Sequence, residues 1–65
     1  MIILTRLNGQ TFALNPHQIE IIEETPDTVI TLTSGQKYVV KEPLDKLIEL
    51  IVNYRKRLGV LGQEE

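Results

Sequence analysis

The chain holds few residues of the kinds that catalysis or metal binding requires. His17 is its only histidine, and the sequence contains no cysteine. Transition-metal sites are built largely from histidine and cysteine, and a hydrolytic triad needs a nucleophile and a carboxylate beside its histidine. We therefore expect no metal, no cofactor and no catalytic residue, and we assign His17 to the surface or to a turn.

The carboxylates of the N-terminal half lie on a segment with strand character. Glu23 and Glu24 are adjacent, and adjacent residues of a strand point to opposite faces, so these two cannot form a general acid–base pair. Glu20 and Glu24 can share a face, which we interpret as a solvated acidic stripe. With no phosphate-binding glycine pattern either, the sequence predicts a protein that is not an enzyme and has no small-molecule substrate.

Arg55-Lys56-Arg57 is the only dense basic run. Positive charges near the end of a helix are stabilised by the helix dipole, which explains this run without a ligand. Contact with acidic lipid, nucleic acid or an acidic partner is the alternative, and a small regulatory nucleic-acid-binding protein is the second candidate function. The net charge of −2 argues against it, because general nucleic-acid binders carry a strong basic excess.

The length of 65 residues limits the chain to one small domain with a marginal core. Without cysteine no disulfide can stabilise it, so self-association is the usual remaining means. The apolar runs are much shorter than the ~20 residues of a membrane helix, and no signal sequence is visible. We therefore expect a cytoplasmic protein.

Five segments rich in β-branched residues alternate with turn signals. Asn8-Gly9 predicts a two-residue type I′ hairpin, and Thr25-Pro26-Asp27 and Ser34-Gly35 predict two further turns. In the third segment we place Ile19 and Ile21 on one face. The predicted strands cover residues 2–7, 10–14, 17–24, 28–33 and 36–41.

From Pro43 onward the apolar residues follow the period of a helix that ends near Gly59. Its predicted buried side comprises Leu44, Leu47, Ile48, Ile51 and Leu58. Leu50, Val52 and Tyr54 widen the apolar arc beyond what one sheet can cover, which indicates a second contact with another copy or a partner. Arg55 also falls within this arc.

These elements predict an α+β domain over residues 1–58, with a flexible tail at 59–65. Its architecture is a small, mostly antiparallel five-stranded sheet followed by one C-terminal helix, in a homo-oligomer built partly through that helix. The candidate interaction surface comprises Arg6, Leu50, Val52, Tyr54, Arg55, Lys56 and Arg57.

Three features of the sequence together resemble the small flagellar proteins of the FlbD/SwrD type. They are the LTRLNG motif at residues 4–9, the ETPDTVITL segment at residues 24–32 followed by Gly35, and the Leu/Ile-rich terminal helix with its basic end. The resemblance spans residues 1–58. It implies an accessory of bacterial flagellar motility, including swarming, with no catalytic residues to carry over.

From this resemblance we expect a protein that contacts a flagellar motor or assembly component, such as the stator. Membrane association is expected only through that partner, at the inner face of the membrane. Within the first motif, Arg6 is the only basic residue of the N-terminal half. It is expected either to pair with the acidic stripe of Glu20 and Glu24 or to face a partner.

Overall fold

The computed structural model describes residues 1–60 of the chain, with side chains as far as Leu58. The elements are β1 (Ile2–Thr5), β2 (Thr11–Leu14), a 3₁₀ helix (Pro16–Gln18), β3 (Ile19–Glu24), β4 (Thr28–Leu32), β5 (Lys37–Val40) and α1 (Leu44–Val60). Because α1 continues through Gly59, this glycine does not end the helix. The remainder of the predicted tail, residues 61–65, lies outside the described residues.

The strands form two antiparallel sheets, β1–β2 and β3–β4–β5. The predicted α+β class is confirmed, whereas the prediction of a single five-stranded sheet is wrong. Strand β1 meets β5 only at one bridge, between Arg6 and Val40. Three residues beyond this bridge the chain reaches Pro43, which has no N–H to donate, and α1 follows. Strand β5 therefore has no length left with which to pair along β1.

A group of hydrogen bonds joins the two sheets at the end of β1, and we call it the clasp (Thr5, Lys41 and Glu42). The Lys41 N–H donates to the Thr5 carbonyl at 2.9 Å. The Thr5 N–H donates to Glu42 Oε1 at 3.0 Å, and the Thr5 hydroxyl donates to Glu42 Oε2 at 2.8 Å. The carboxylate thus takes the N–H that a longer β1–β5 ladder would use, which is a second reason for the division into two sheets.

The clasp stabilises the ionised form of Glu42. Partial burial disfavours the charge, but the hydrogen bonds from Thr5, with the nearby Lys46 ammonium, outweigh it and hold the pKa of Glu42 below its ordinary value of 4.5. The clasp is therefore strongest when Glu42 is charged.

The two hairpin loops have the same construction. The Arg6 carbonyl accepts from the Gly9 N–H at 2.9 Å, and the Leu32 carbonyl accepts from the Gly35 N–H at 2.8 Å. Gly9 and Gly35 have φ values of +95° and +94°, where glycine escapes the penalty of a side chain. Each loop is thus a four-residue turn whose last residue is a left-handed glycine, which gives a three-residue connection. The predicted two-residue turn at Asn8-Gly9 is wrong.

The chain before β3 forms a 3₁₀ turn rather than a strand. The Asn15 side chain accepts from the His17 N–H at 3.0 Å, and the Asn15 carbonyl accepts from the Gln18 N–H at 3.0 Å. Pro16 occupies the first position of this turn, where its missing N–H is not needed. The prediction that the third strand begins at His17 is therefore wrong.

A β-bulge between Ile19 and Ile21 changes the orientation of β3. Ile19 and Ile22 pack against the core, whereas Ile21 is exposed. The predicted shared face of Ile19 and Ile21 is wrong, because the extra residue of a bulge moves all later side chains to the other face.

One apolar core is shared by both sheets and the helix. Leu4 of β1, Ile30 of β4 and Leu47 of α1 are each completely buried. The whole buried cluster comprises Ile2, Leu4, Leu14, Ile30, Leu32, Val40 and Leu47. A two-stranded hairpin is marginal alone, so this common core makes the two sheets dependent on each other.

A side chain of β3 caps the start of α1. The Leu44 N–H donates to Glu24 Oε2 at 3.1 Å, and the Leu47 N–H donates to the Pro43 carbonyl at 3.0 Å in the first helical turn. A carboxylate at this end is favourable because the first N–H groups of a helix lack partners and carry the positive end of its dipole. Glu24 thereby joins the end of β3 to the first turn of α1.

The buried face of α1 is rotated toward Leu50 relative to the predicted one. Leu50 and Tyr54, which the sequence assigns to the excess apolar arc, pack against the domain's own core. Ile48, predicted to be buried, is 49% exposed, and Val52 is 44% exposed. Ile48 and Val52 therefore form an exposed apolar surface on the flank of α1 that does not pack against the core.

We predict that Leu47→Ala lowers the free energy of unfolding by about 2–4 kcal/mol, because it leaves a cavity at the centre of the core. Chemical denaturation followed by circular dichroism measures this change. The adjacent Ile48→Ala is the matched control and is expected to cost well under half as much, since its side chain is half exposed. Equal costs for the two variants would contradict this account of the core.

We predict that Glu42→Gln lowers the free energy of unfolding by about 1 kcal/mol near neutral pH, because it weakens charge-assisted hydrogen bonds. A group whose pKa is depressed on folding stabilises the fold above its unfolded value and loses that contribution as the pH falls. The difference between wild type and variant should be constant above about pH 5 and shrink below about pH 4.5.

Denaturation curves at several pH values test the clasp, with Thr11→Val as a control against Thr5→Val. Thr11 pairs with Thr5 across the hairpin and is exposed. Thr5→Val should destabilise the fold, since it removes the hydroxyl that bonds Glu42, and Thr11→Val should not. A stability difference between wild type and Glu42→Gln that grows on acidification would contradict the assignment.

Candidate functional site

A cleft of about 250 Å³ lies between β1 and one flank of α1. We call it the β1–α1 groove, and its lining residues are Met1, Ile2, Ile3, Leu50, Asn53, Tyr54 and Arg57. It therefore gathers Leu50, Tyr54 and Arg57, three of the seven residues that the sequence predicts for the interaction surface, with strand residues that it does not.

The groove follows from the alternation of β1 against the spacing of α1. Ile2 and Leu4 point into the core, so Ile3 between them points outward and is 59% exposed. On the helix, Leu50 and Tyr54 pack against the core with their inner sides and line the groove with the rest. The groove thus has an apolar base and an open mouth.

The backbone of Ile3 lies at an open strand edge. The Arg6 N–H donates to the Gln10 carbonyl at 2.7 Å, so Arg6 directs its backbone toward β2. In an antiparallel ladder this direction alternates, which turns the N–H and C=O groups of Thr5 and Ile3 to the opposite edge. The groups of Thr5 are used there by the clasp. Within residues 1–60, no strand pairs with β1 at Ile3 on that edge.

The charge of the groove is positive. Arg57 is exposed at its rim, and among residues 1–58, whose side chains the structure describes, none that lines the groove is acidic. The other two members of the basic run point elsewhere, because successive helical residues are about 100° apart around the axis. Arg55, Lys56 and Arg57 are all exposed, but they do not form one basic patch on one face.

The remaining predicted surface residues lie outside the groove. Val52 and Arg55 are exposed on the opposite flank of α1, on the side of Ile48, and Lys56 faces away from the domain. Arg6 lies at the junction of the two sheets, where its backbone forms the bridge with Val40. The structure therefore divides the predicted surface into a groove, a second helix flank and Arg6.

Arg6 stacks on two aromatic rings. Its guanidinium carbon lies 4.4 Å from the ring centroid of Phe12 and 5.3 Å from that of Tyr38, and the two rings are 5.2 Å apart. Phe12 belongs to β2 and Tyr38 to β5, so this stack spans both sheets. The sequence predicts that Arg6 either pairs with the acidic stripe of Glu20 and Glu24 or faces a partner. The aromatic stack explains its position without either contact, and Glu24 binds the start of α1 instead.

A second cleft lies at the end of the molecule where the two motif segments meet. It is lined by Leu7, Glu24, Pro26, Asp27, Thr28, Val40, Lys41 and Pro43, with a volume of about 390 Å³. Its lining mixes both signs of charge, and Glu24 and Lys41 use polar groups there in the helix cap and the clasp. We therefore regard it mainly as the place where the turns, linker and helix start are held together.

His17 stands beside the helix at the surface. Its ring lies 5.6 Å from the ring of Tyr54 in an edge-on arrangement, which ties the 3₁₀ turn to α1.

Within residues 1–60 no helix is long and apolar enough to span a membrane. In the same part of the chain, no three histidine, cysteine or acidic side chains are grouped in a way that could hold a metal ion.

Sequence reasoning missed the strand half of the groove. Met1 and Ile3 are not among the predicted surface residues, and neither is Asn53 on the helix. Yet the adjacent Ile2 and Ile3 already make β1 apolar on both faces. That two-sided pattern is the signal that could have found the site. The clasp has no such signal, because Thr5 and Glu42 are far apart in the chain and common in type.

The comparisons with known proteins give one match. Residues 1–59 match the model of a family described as flagellar and swarming motility proteins, FlbD, which confirms the resemblance seen in the sequence. No curated protein and no solved structure matches the chain at a significant level.

We predict that Arg6→Gln lowers the free energy of unfolding by about 1 kcal/mol, because it removes the cation that stacks on Phe12 and Tyr38. The measurement is denaturation at neutral pH. Lys56→Gln removes an exposed cation elsewhere and should leave stability within about 0.5 kcal/mol of wild type. Wild-type stability for Arg6→Gln would show that the stack does not contribute to folding.

Proposed function

The chain belongs to the FlbD family of flagellar and swarming motility proteins, and we propose that it is a non-catalytic accessory that contacts a motor or assembly component. The observation that carries this proposal is the β1–α1 groove, an apolar cleft beside an open strand edge. Its place in the cell is proposed to be the cytoplasm, with access to the inner face of the membrane only through the partner.

The groove suits an extended segment of a partner protein. A strand laid along β1 can bond the N–H and C=O of Ile3, which face that edge, in the manner of β-strand addition. Side chains of such a segment alternate between the groove and solvent. One of them can then contact Ile3 and Leu50, which gives apolar contact area in addition to the backbone hydrogen bonds.

The charge of the groove favours an acidic partner segment. Arg57 at the rim can bind a carboxylate in two parallel hydrogen bonds, and no acidic lining residue among residues 1–58 competes for it. We therefore propose a partner that presents an apolar side chain and an aspartate or glutamate on one extended stretch. Such a contact is specific in geometry and moderate in strength, as regulatory contacts commonly are.

The use of the carboxylates supports a non-catalytic role. Glu24 binds the first N–H of α1, and Glu42 binds Thr5 in the clasp. The histidine ring packs edge-on against Tyr54. Each of these groups therefore has a structural partner that accounts for its position.

The proposal is tested by deleting the gene in the source organism and restoring it with single variants. Arg57→Glu and Ile3→Lys should fail to restore swarming, because a loss of about 2 kcal/mol at the groove raises the dissociation constant of the contact roughly 30-fold. Lys56→Glu and Ile48→Lys are the same kinds of substitution at positions outside the groove, and they should restore swarming. Purified variants must keep the wild-type circular dichroism spectrum.

Swarming, swimming speed and filament number are scored together. Normal filaments with weak movement would place the action at motor output, and missing filaments would place it at assembly or expression. Full swarming with both groove variants would contradict the groove, and loss with Ile48→Lys alone would move the contact to the other helix flank. Unchanged motility after deletion would contradict the accessory role itself.

A further inference from the structure

The outer face of the three-stranded sheet is a second apolar surface, separate from the groove. The inner face of this sheet packs on the core, so the alternate residues of β3, β4 and β5 point outward. The pairing places them in two cross-strand rows. One row is Ile21, Thr31 and Lys37, and the other is Glu23, Val29 and Val39.

Two opposite corners of this face are apolar. Ile21 on β3 and Val39 on β5 are 48% and 38% exposed, and Val29 between them is half-buried. Within residues 1–60 the helix and the hairpin lie on the other side of the sheet, where the core is. Nothing in that part of the chain covers these side chains.

The other two corners carry opposite charges. Glu23 lies on β3 beside Val29, and Lys37 lies on β5 beside Thr31. Both are exposed. A face with one acid and one base at opposite corners, and apolar residues on the remaining diagonal, has no net charge and is complementary to itself.

We propose that this face is an interface between two copies of the chain. A two-fold axis along the diagonal from Ile21 to Val39 sets each of these side chains against its own counterpart. The same axis exchanges the charged corners, so Glu23 of each copy meets Lys37 of the other. The strands of the two sheets then cross at a large angle, close to the orthogonal class of sheet packing.

The symmetry and size of the face define the assembly. An isologous contact closes at two copies, so a dimer forms and no larger species. Six outward residues bury less area than a standard stable interface, and we expect a dissociation constant on the order of 100 µM. Dimerisation also adds apolar burial that a domain of this size otherwise lacks.

The charged corners give a test by exchange. Glu23→Lys leaves two lysines on the face, and Lys37→Glu leaves two carboxylates, so each variant alone sets like charges against each other. Mixed in equal amounts, the two variants restore both opposite-charge pairs. The double variant E23K/K37E restores them within one chain.

Sedimentation equilibrium of the full chain, from about 10 µM to about 1 mM, measures each case. We expect the wild type and E23K/K37E to dimerise alike, and each single variant to dimerise about tenfold more weakly. The mixture should come within about twofold of the wild type, because only its cross-dimers carry both opposite-charge pairs. Lys56→Glu, on the helix, should match the wild type. Low salt should strengthen the effect of the single variants, because exposed ion pairs are screened.

Several outcomes would overturn the proposal. They are a wild-type monomer at the highest concentration, a species larger than a dimer, single variants that associate like the wild type, and a mixture no stronger than its components. A dimer that survives both charge reversals but is lost in Val52→Lys would assign the contact to the helix instead. Since association is measured without any partner, these results are independent of the groove's role in motility.

Discussion

The rest of the structure depends on the carboxylate of Glu42. It lies in the three-residue linker between β5 and α1, and it binds both the backbone and the hydroxyl of Thr5 at the end of β1. One side chain thus fixes the hairpin, the sheet and the start of the helix relative to each other. In a domain whose core is this small, a polar junction of that kind can decide the arrangement, because its hydrogen bonds are directional whereas apolar burial is not.

The two ends of β1 differ in their contacts, because the linker binds only the end at Thr5. At Thr5 its outer edge is occupied by the clasp, whereas at Ile3, two residues earlier, no strand of residues 1–60 pairs with the same edge. Its inner face supplies Ile2 and Leu4 to the core, and its outer face supplies Ile3 to the groove. A four-residue strand therefore joins the two sheets at one end and lines the groove at the other.

Much of the local structure could be predicted from the sequence because it depends on residue types. The glycines of the two hairpin loops, the proline before α1 and the β-branched runs each favour one backbone conformation. What could not be predicted depends on tertiary contact. The bulge that turns Ile21 outward has no residue signature, and Pro43 alone does not say that β5 stops before it can pair along β1.

The candidate site likewise has one half that could be predicted from the sequence and one half that depends on tertiary contact. The helical half, Leu50, Tyr54 and Arg57, follows from the apolar arc and its basic end, since a helix displays its sequence at fixed angles. The strand half depends on how β1 is oriented against α1, which only the clasp and the shared core determine. Arg6 was singled out for its isolation in the sequence, but aromatic rings from two other strands explain its position.

The bulge in β3 has a consequence for how copies of this protein can meet. An exposed edge strand of regular geometry is a template on which further strands add without limit, and that is how soluble sheets become fibrous aggregates. The irregular spacing between Ile19 and Ile21 interrupts the edge of β3 near its beginning. The edge is therefore poorly suited to templating, which favours contact between copies through the flat of the sheet rather than through this edge.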